Sequence, residues 1–216
     1  LAHKDMYYRA GVTVTCGSAI RRDFVPDVTA TALERIDAAG AVHVGALNMS
    51  EFASGPTGHN VHWGTCRNPW NPAHITGGSS TGLGSATGGR LVTGSLGSDT
   101  GGSIRLPAGI CGVYGIKLTQ GRVSRHGVMG LSFSLDNVGP LARTARDCAR
   151  LLSVIAGPDP MDTTTLPVPG EDYEADLEAG VAGLRIVVPE TYYFDDIDTE
   201  IAEALDEVLA TFEAMG

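Results

Sequence analysis

The sequence predicts an α/β fold in which a mixed central sheet is flanked by helices. Segments with helical signals alternate with short apolar segments, and such alternation favours a parallel or mixed sheet. The hydrophobic fraction of 43% and the charged fraction of 19% are those of an ordinary globular protein. The chain begins abruptly at Leu1 and stops at Gly216 directly after a predicted helix. We therefore expect it to be a fragment of the full domain.

Capping signals and apolar periodicity locate the helices. Gly40 supplies a C-cap for the first helix, and Thr144-x-x-Asp147 resembles a capping box that opens a later one. In the last helix, apolar residues recur at the i, i+3, i+4 and i+7 positions. The predicted helices cover residues 30–39, residues 80–92, the segment from Thr144 through Ile155, and a stretch from about Thr199.

Short apolar segments bounded by turn residues indicate the strands. These predicted strands are residues 41–47, 113–116 and 184–188. Residues 1–158 are expected to form the main core. A Pro/Asp-rich connector follows at 159–182, and residues 183–216 would begin a truncated C-terminal half with one strand and one helix.

Charge is distributed unevenly along the chain, which carries a net charge of −10. From residue 159 onward there are sixteen acidic residues and one basic residue, Arg185. We interpret this acidic tail as solvated elements. The basic residues elsewhere are scattered, so we expect no direct nucleic-acid binding. No apolar run approaches the length of a membrane span, so we expect no membrane partner.

The four cysteines show neither paired spacing nor a C-x-x-C motif. Free, mostly buried thiols are typical of an intracellular protein, and we expect a cytoplasmic location. The four are Cys16, Cys66, Cys111 and Cys148.

Two Gly/Ser-rich segments, residues 77–82 and 97–105, are the most informative part of the sequence. Such segments can cradle a phosphate, form a flexible linker, or arrange backbone amides around an oxyanion. Neither lysine lies in a G-K-[ST] motif, which excludes a Walker A loop, and Gly82-Leu-Gly84 continues imperfectly as a dinucleotide fingerprint. A linker would not be interleaved with Ile104-Arg105-Leu106-Pro107. The third use is left: the backbone amides beside Ser103, which follows two glycines, would bind an oxyanion.

A nucleophilic serine needs a group that takes its proton. The G-x-S-x-G elbow is absent around Ser103, and the six histidines form no triad or ligand pattern. A lysine can act as the base if burial keeps it neutral. Lys4 and Lys117 are the only lysines, and therefore the only candidates.

Residues 77–143 resemble the amidase signature family, whose members hydrolyse amides with a Ser–cis-Ser–Lys triad. The matching motifs are Gly77-Gly78-Ser79-Ser80-Thr81-Gly82, Gly97 to Pro107, Cys111-Gly112-x-x-Gly115-x-Lys117, and Gly139-Pro140-Leu141-Ala142-Arg143. Similarity also extends to Lys4-Asp5, Leu47 to Phe52 and Asn68-Pro69-Trp70. The intervals of 75 residues from Lys4 to Ser79 and 24 from Ser79 to Ser103 agree with that triad.

The resemblance implies a role for each of these residues. Ser103 would be the nucleophile, Ser79, preceded by a cis peptide bond, the bridging serine, and Lys4 the final base. The amides of Thr100, Gly101, Gly102 and Ser103 would form the oxyanion hole. Met49, Thr81 and Met129 are candidates for lining the substrate pocket. Thr81 and Leu118 depart from the family pattern, which has Gly and Pro there.

Other polar residues near these motifs are interpreted as structural. We expect Asp99 and Arg105 to brace each other through a salt bridge, and Asp136 and Arg143 to have structural roles. Lys117 is expected to pair with an acid or a helix C-terminus. His59 and His62 lack an apparent third ligand, so we predict no metal site and no cofactor.

The sequence thus predicts hydrolysis of a carboxylic amide, with a small-molecule amide as the partner; a homodimer is left open. The first alternative is the glutamine-hydrolysing A subunit of a tRNA-dependent amidotransferase, although Gly55 to Asn60 departs from the pattern of that subunit. The second is a noncatalytic Gly-rich nucleotide-binding module.

Overall fold

The computed structural model describes residues 1–216, in two compact units that comprise Leu1–Glu174 and Ala175–Gly216. The strands are β1 (Ala2–Lys4), β2 (Gly45–Leu47), β3 (Gly94–Asp99), β4 (Tyr114–Gly115) and β5 (Asn137–Ala142). The helices are α1 (Thr31–Ala38), α2 (Thr81–Gly88), α3 (Arg105–Cys111), α4 (Ala145–Ile155) and α5 (Thr199–Ala214). None of these helices is both long enough and apolar enough to cross a bilayer.

The five strands form one mixed sheet in the order β2-β1-β3-β5-β4. β1 runs parallel to β2 and β3, whereas β5 runs antiparallel to β3 and β4. The predicted α/β fold with a mixed sheet and flanking helices is confirmed. β1 has a neighbour on each side, so its three residues are all buried.

The main core lies where α1 and α4 pack beside the sheet. Leu33 and Ile36 of α1 and Leu152 and Ile155 of α4 belong to one buried cluster. Thr144 caps α4 as predicted, because its side chain accepts the N–H of Asp147 at the start of the helix. Helix α2, rich in small residues as predicted, packs against α3 and the sheet.

Several elements differ from the sequence prediction. Strand β2 covers only Gly45–Leu47 of the predicted 41–47, and α2 ends at Gly88 rather than at residue 92. The predicted strand at 184–188 is wrong, since these residues form no strand. A β-strand needs a neighbour for its ladder, and residues 175–216 contain no other strand.

The first unit extends beyond the predicted boundary at residue 158. Asp159 accepts hydrogen bonds from Thr31 and Ser124, and Arg150 donates two hydrogen bonds to Glu174. These contacts hold residues 159–174 against the core, so only residues 175–182 of the predicted connector fall in the second unit.

In the second unit, α5 begins after Asp198, whose side chain accepts the N–H of Glu200. Apolar side chains of the preceding extended segment and of α5 line one small cavity within this unit, among them Leu184, Ile186, Val188, Leu209 and Phe212.

Candidate active site

Lys4 lies in β1, an inner strand of the sheet, and its side chain has no exposed surface. Its Nζ donates to Ser79 Oγ at 2.7 Å and to Ser98 Oγ at 2.8 Å. A lysine in the interior without a carboxylate at contact distance is unusual, because burying an unpaired charge is costly. The two hydroxyl groups are therefore the hydrogen-bond partners of this amine.

The burial of Lys4 changes its protonation. Burial lowers the pKa of Lys4 from 10.5 to about 7, against the opposing effect of the negative charges at Asp99 and Asp136 and of Cys16, which raise it. At neutral pH a substantial fraction of this lysine is then the neutral amine, which has a lone pair that can accept a proton.

Ser79 is equally buried, and the peptide bond between Gly78 and Ser79 is cis, as the family resemblance implies. The turn is fixed by a hydrogen bond from the Ser50 N–H to the Ser79 carbonyl at 3.1 Å. Gly78 is required here, because a Cβ at this residue would lie 2.3 Å from the Gly55 carbonyl oxygen. The sequence therefore folds so that Ser79 Oγ points at Lys4.

Ser103 lies in the turn between β3 and α3 and is half-buried. Its carbonyl accepts the N–H of Ser80 at 3.3 Å, which ties the two Gly/Ser-rich segments together. No side-chain hydrogen bond joins Ser103 to Ser79 in residues 1–216. The structure thus pairs Lys4 with Ser79 directly and connects Ser103 to them through the backbone.

Asp99 organises the loop that carries Ser103. Its fully buried carboxylate accepts the N–H of Gly102 at 2.8 Å and that of Ile104 at 3.0 Å. Arg105 adds two side-chain hydrogen bonds at 2.9 and 3.0 Å, so the predicted salt bridge is present. Burial alone would raise the pKa of Asp99, but the hydrogen bonds from Arg105 and Ile104 hold it below its ordinary value.

The backbone amides of this loop are not equivalent. Gly102 has a φ of +134°, a conformation that favours glycine, and its N–H is committed to Asp99. The Gly102 amide therefore departs from the predicted set of four oxyanion donors. The N–H groups of Gly101 and Ser103 have no acceptor within residues 1–216. A Cβ at Gly101 would meet nothing within 4 Å, so open space lies beside these amides.

Two cavities flank the loop. The first, of about 240 Å³, lies over Ser103 and is lined by Ala53, Ser54, Gly55, Pro56, Gly78, Thr100, Gly101, Ser103, Leu106 and Leu131. The second, of about 410 Å³, is lined mainly by apolar residues, including Met6, Val128, Met129, Leu131 and Phe133, and it reaches Ser98 and Asp136. Leu131 borders both cavities.

Of the three predicted pocket residues, only Met129 lines a cavity. Met49 and Thr81 are fully buried, in contrast to the prediction. Met49 packs in the main core, and Thr81 Oγ1 shares a hydrogen bond of 2.7 Å with Thr76 Oγ1. The extra hydroxyl of Thr81 thus finds its partner inside the protein.

Three further residues touch the site: the sequence indicates no role for Ser98 and Tyr7, and for Asp136 it predicts only a structural role. Ser98 is the second partner of Lys4, Tyr7 donates to the Gly97 carbonyl on β3, and Asp136 accepts the Thr100 hydroxyl. Ser98 lies inside the second Gly/Ser-rich segment, so that motif could have indicated its place in the site. The contacts of Tyr7 and Asp136 depend on the strand pairing, so no sequence motif indicates them.

The remaining polar candidates lie in structural contacts. Lys117 donates to the Leu118 carbonyl rather than to an acid, and Arg143 donates to the Val92 carbonyl. His62 pairs with Glu51 at 2.9 Å, and His59 contacts Thr57. No group of three His, Cys, Asp or Glu residues within residues 1–216 is arranged to hold a metal ion.

The chain is similar to known proteins in both sequence and fold. The sequence model of the Amidase family matches residues 1–216. The A subunit of the glutamyl-tRNA(Gln) amidotransferase of Geobacter metallireducens is 46% identical over the whole chain, which corresponds to 44% of that protein. The chain thus spans about half the length of the curated relatives that it matches.

Two solved structures have closely similar folds. The A subunit of the Thermotoga maritima glutamyl-tRNA(Gln) amidotransferase superposes with a TM-score of 0.95 at 39% identity, over 100% of this chain and 47% of that one. A peptide amidase in complex with the inhibitor chymostatin gives a TM-score of 0.89 at 34% identity, over 100% and 45%. With a match to the family model along its entire length, the chain belongs to the amidase family that is defined by the amidase signature.

Proposed function

We propose that the protein hydrolyses a carboxylic amide through an acyl-enzyme on Ser103, with Ser79 as the proton relay and neutral Lys4 as the base. The observation that carries this proposal is the buried 2.7 Å contact between Lys4 Nζ and Ser79 Oγ. A purely structural role does not require a buried lysine with a pKa of about 7 within the sheet. Perturbed groups of this kind concentrate at functional sites.

In the proposed acylation step, the neutral Lys4 amine accepts the proton of Ser79, which accepts that of Ser103. The Ser103 oxygen then forms a bond to the amide carbon. As the C–N bond breaks, the proton returns through Ser79 to the leaving nitrogen, so the products are an ester on Ser103 and a free amine. Water repeats the sequence on the ester and releases the carboxylic acid.

The negative charge that develops on the carbonyl oxygen needs fixed donors. The amides of Gly101 and Ser103 border the cavity over Ser103 and have no acceptor of their own in the chain. Thr100, at the start of the same loop, also lines that cavity. We propose that these amides form the oxyanion site, while Gly102 holds the loop through Asp99. One such donor contributes about 10²–10³-fold to turnover in other hydrolases.

Covalent labelling tests the nucleophile. The protein is treated with a fluorophosphonate and the modified residue is identified by mass spectrometry, with Ser103→Ala and Ser54→Ala as variants. Ser54 is an exposed serine that lines the same cavity, which makes it the matched control. We expect one label, on Ser103, which disappears in Ser103→Ala and persists in Ser54→Ala. A label on another residue, or unchanged amide turnover by Ser103→Ala, would contradict the proposal.

A second candidate function is that of the glutamine-hydrolysing A subunit of an amidotransferase. It is favoured by the 46% identity to a protein of that name over the whole chain. Against it, Gly55 to Asn60 departs from the pattern that the sequence analysis associates with that subunit. Both functions use Ser103, so the substrate distinguishes them. Glutaminase activity together with co-purifying partner subunits would support the second function, whereas turnover of other amides by the isolated protein would support the first.

A further inference from the structure

Strand pairing brings Asp136 opposite the loop that carries the proposed oxyanion donors. Strands β3 and β5 are antiparallel, and Asp99 pairs with Asn137 at the end of the ladder. One step beyond that pair, the same register sets Thr100 opposite Asp136. The sheet itself therefore determines which residue meets the first residue of the loop.

The Asp136 carboxylate joins two separate segments. One oxygen, Oδ1, accepts the hydroxyl proton of Thr100. The other, Oδ2, accepts the N–H of Leu131 at 2.8 Å and the N–H of Ser132 at 2.9 Å. Asp136 is 9% exposed, so these bonds form where water competes weakly. Charge-assisted bonds of this type are among the stronger ones in proteins.

Both segments border the proposed reaction site. Thr100 and Leu131 line the cavity over Ser103, and Leu131 and Asp136 also line the larger apolar cavity. A carboxylate that binds both the loop with the amides and the wall facing it fixes the distance between them. Asp99 binds the amides of Gly102 and Ile104. The Thr100 end of the loop is held by a different acceptor, Asp136.

We propose that Asp136 is a positioning residue, which holds the Thr100 end of the oxyanion loop and the Leu131–Ser132 wall in the geometry that turnover requires. This inference rests on the proposed function. Asp136 touches no reacting atom and acts through Thr100. Its loss therefore affects stabilisation of the transition state more than binding of the substrate, so kcat falls while KM changes little.

Asp136 also acts on the base through its charge. The carboxylates whose charge acts on Lys4 are Asp99 and Asp136, and both favour the protonated amine, whereas burial raises the pKa of the nearby Cys16 thiol to about 11 and keeps it uncharged at neutral pH. Asp99 is paired with Arg105, whereas Asp136 forms no ion pair within residues 1–216. Removing the Asp136 charge should lower the pKa of Lys4 further. Since the neutral amine is the active form and predominates above its pKa, the acid limb of the activity profile should move to lower pH.

The test compares Asp136→Asn with Asp159→Asn in steady-state amide hydrolysis as a function of pH. Asp159 is a matched control, because it is also a buried aspartate that accepts hydroxyl and backbone N–H groups, but it lies in the segment after α4. We expect Asp136→Asn to lower kcat by about 100-fold, the cost of a misplacement of about 1 Å. Its acid limb should shift to lower pH, whereas Asp159→Asn should keep the wild-type kcat and midpoint.

If Asp136→Asn does not fold, a variant of Thr100, whose hydroxyl Asp136 accepts, provides the test. Thr100→Val removes only the hydroxyl group, and it should lower kcat without moving the acid limb. Where both variants fold, the double variant should lose less than the product of the two single losses, since both variants weaken the same connection between Asp136 and Thr100. Wild-type kcat in Thr100→Val, or identical behaviour of Asp136→Asn and Asp159→Asn, would overturn the inference. Fluorophosphonate labelling of wild-type Ser103 is independent of this result, and its failure would instead remove the proposed function.

Discussion

The two sides of the candidate site differ in their solvent exposure. On one side, Lys4 and Ser79 have no exposed surface and form a direct hydrogen bond. On the other, Gly101 is exposed and Ser103 is half-buried beside an open cavity. The buried side controls protonation, because removal from water lowers the pKa of the lysine. The open side provides access and backbone donors.

The sheet and the loop therefore contribute different properties to the candidate site. The inner strand β1 places Lys4, the proposed base, where burial sets its pKa, and a flexible residue at the surface could not offer that. The loop after β3 depends instead on two aspartates that do not cover the cavity: Asp99 accepts the Gly102 amide, and Asp136 accepts the Thr100 hydroxyl. A site with both properties can keep its base neutral and still admit a substrate.

The largest effect is expected from removing the base on the buried side. Lys4→Met preserves side-chain volume but cannot accept a proton, so kcat/KM should fall by about 10²–10⁴-fold, as for loss of a general base. Lys117→Met is the matched control, since Lys117 is the only other lysine and is exposed. Steady-state assays on both variants check this. Activity of Lys4→Met within tenfold of wild type would mean that the buried amine is not the base.

An intermediate effect should separate the two partners of the loop salt bridge. Asp99 is fully buried, so Asp99→Ala leaves several donors unpaired and should cost about 3–5 kcal/mol of stability. The Arg105 side chain is 53% exposed, and Arg105→Ala leaves Asp99 with its backbone donors, so we expect a loss of about 1 kcal/mol. Urea unfolding of both variants measures the difference. Equal losses would contradict the view that backbone amides, rather than the ion pair, stabilise this carboxylate.

The smallest effect is expected at Thr81, which the structure assigns to the buried side. Thr81→Ala removes one partner of the hydrogen bond with Thr76, while Thr76 keeps its bond to the Gly77 carbonyl. Stability should fall by about 1 kcal/mol. Because the side chain lines no cavity, KM should stay at the wild-type value. A clear change in KM without loss of stability would instead indicate that Thr81 contacts the substrate.

Much of the fold follows from local signals. The cap at Thr144 and the spacing of apolar residues in α5 predict both helices well, because they depend on neighbours in the sequence. Strands β1, β3 and β5 were not predicted. Gly94–Asp99 and Asn137–Ala142 are rich in glycine or contain proline, and they form strands only because tertiary pairing overrides weak local preference.

For the site, motif and spacing predicted Lys4 and Ser79, and the hydrogen bond between their side chains agrees. They could not predict Asp136, since its role depends on the β3–β5 register. Met49 shows an incorrect assignment rather than an omission. The resemblance suggested that it lines the substrate pocket, but its side chain packs in the core. A sequence alone does not reveal which face of a loop points inward.

The pH dependence of Ser103 labelling by a fluorophosphonate tests the central claim most directly, because it measures activation of the nucleophile without the need for a known substrate. Lys4 is neutral above its pKa of about 7, so the rate should rise about tenfold per pH unit below pH 7 and then level off. In Lys4→Met the rate should be slow and lack this limb. A wild-type midpoint near 10.5, the ordinary value for lysine, or the same profile in Lys4→Met, would contradict the account.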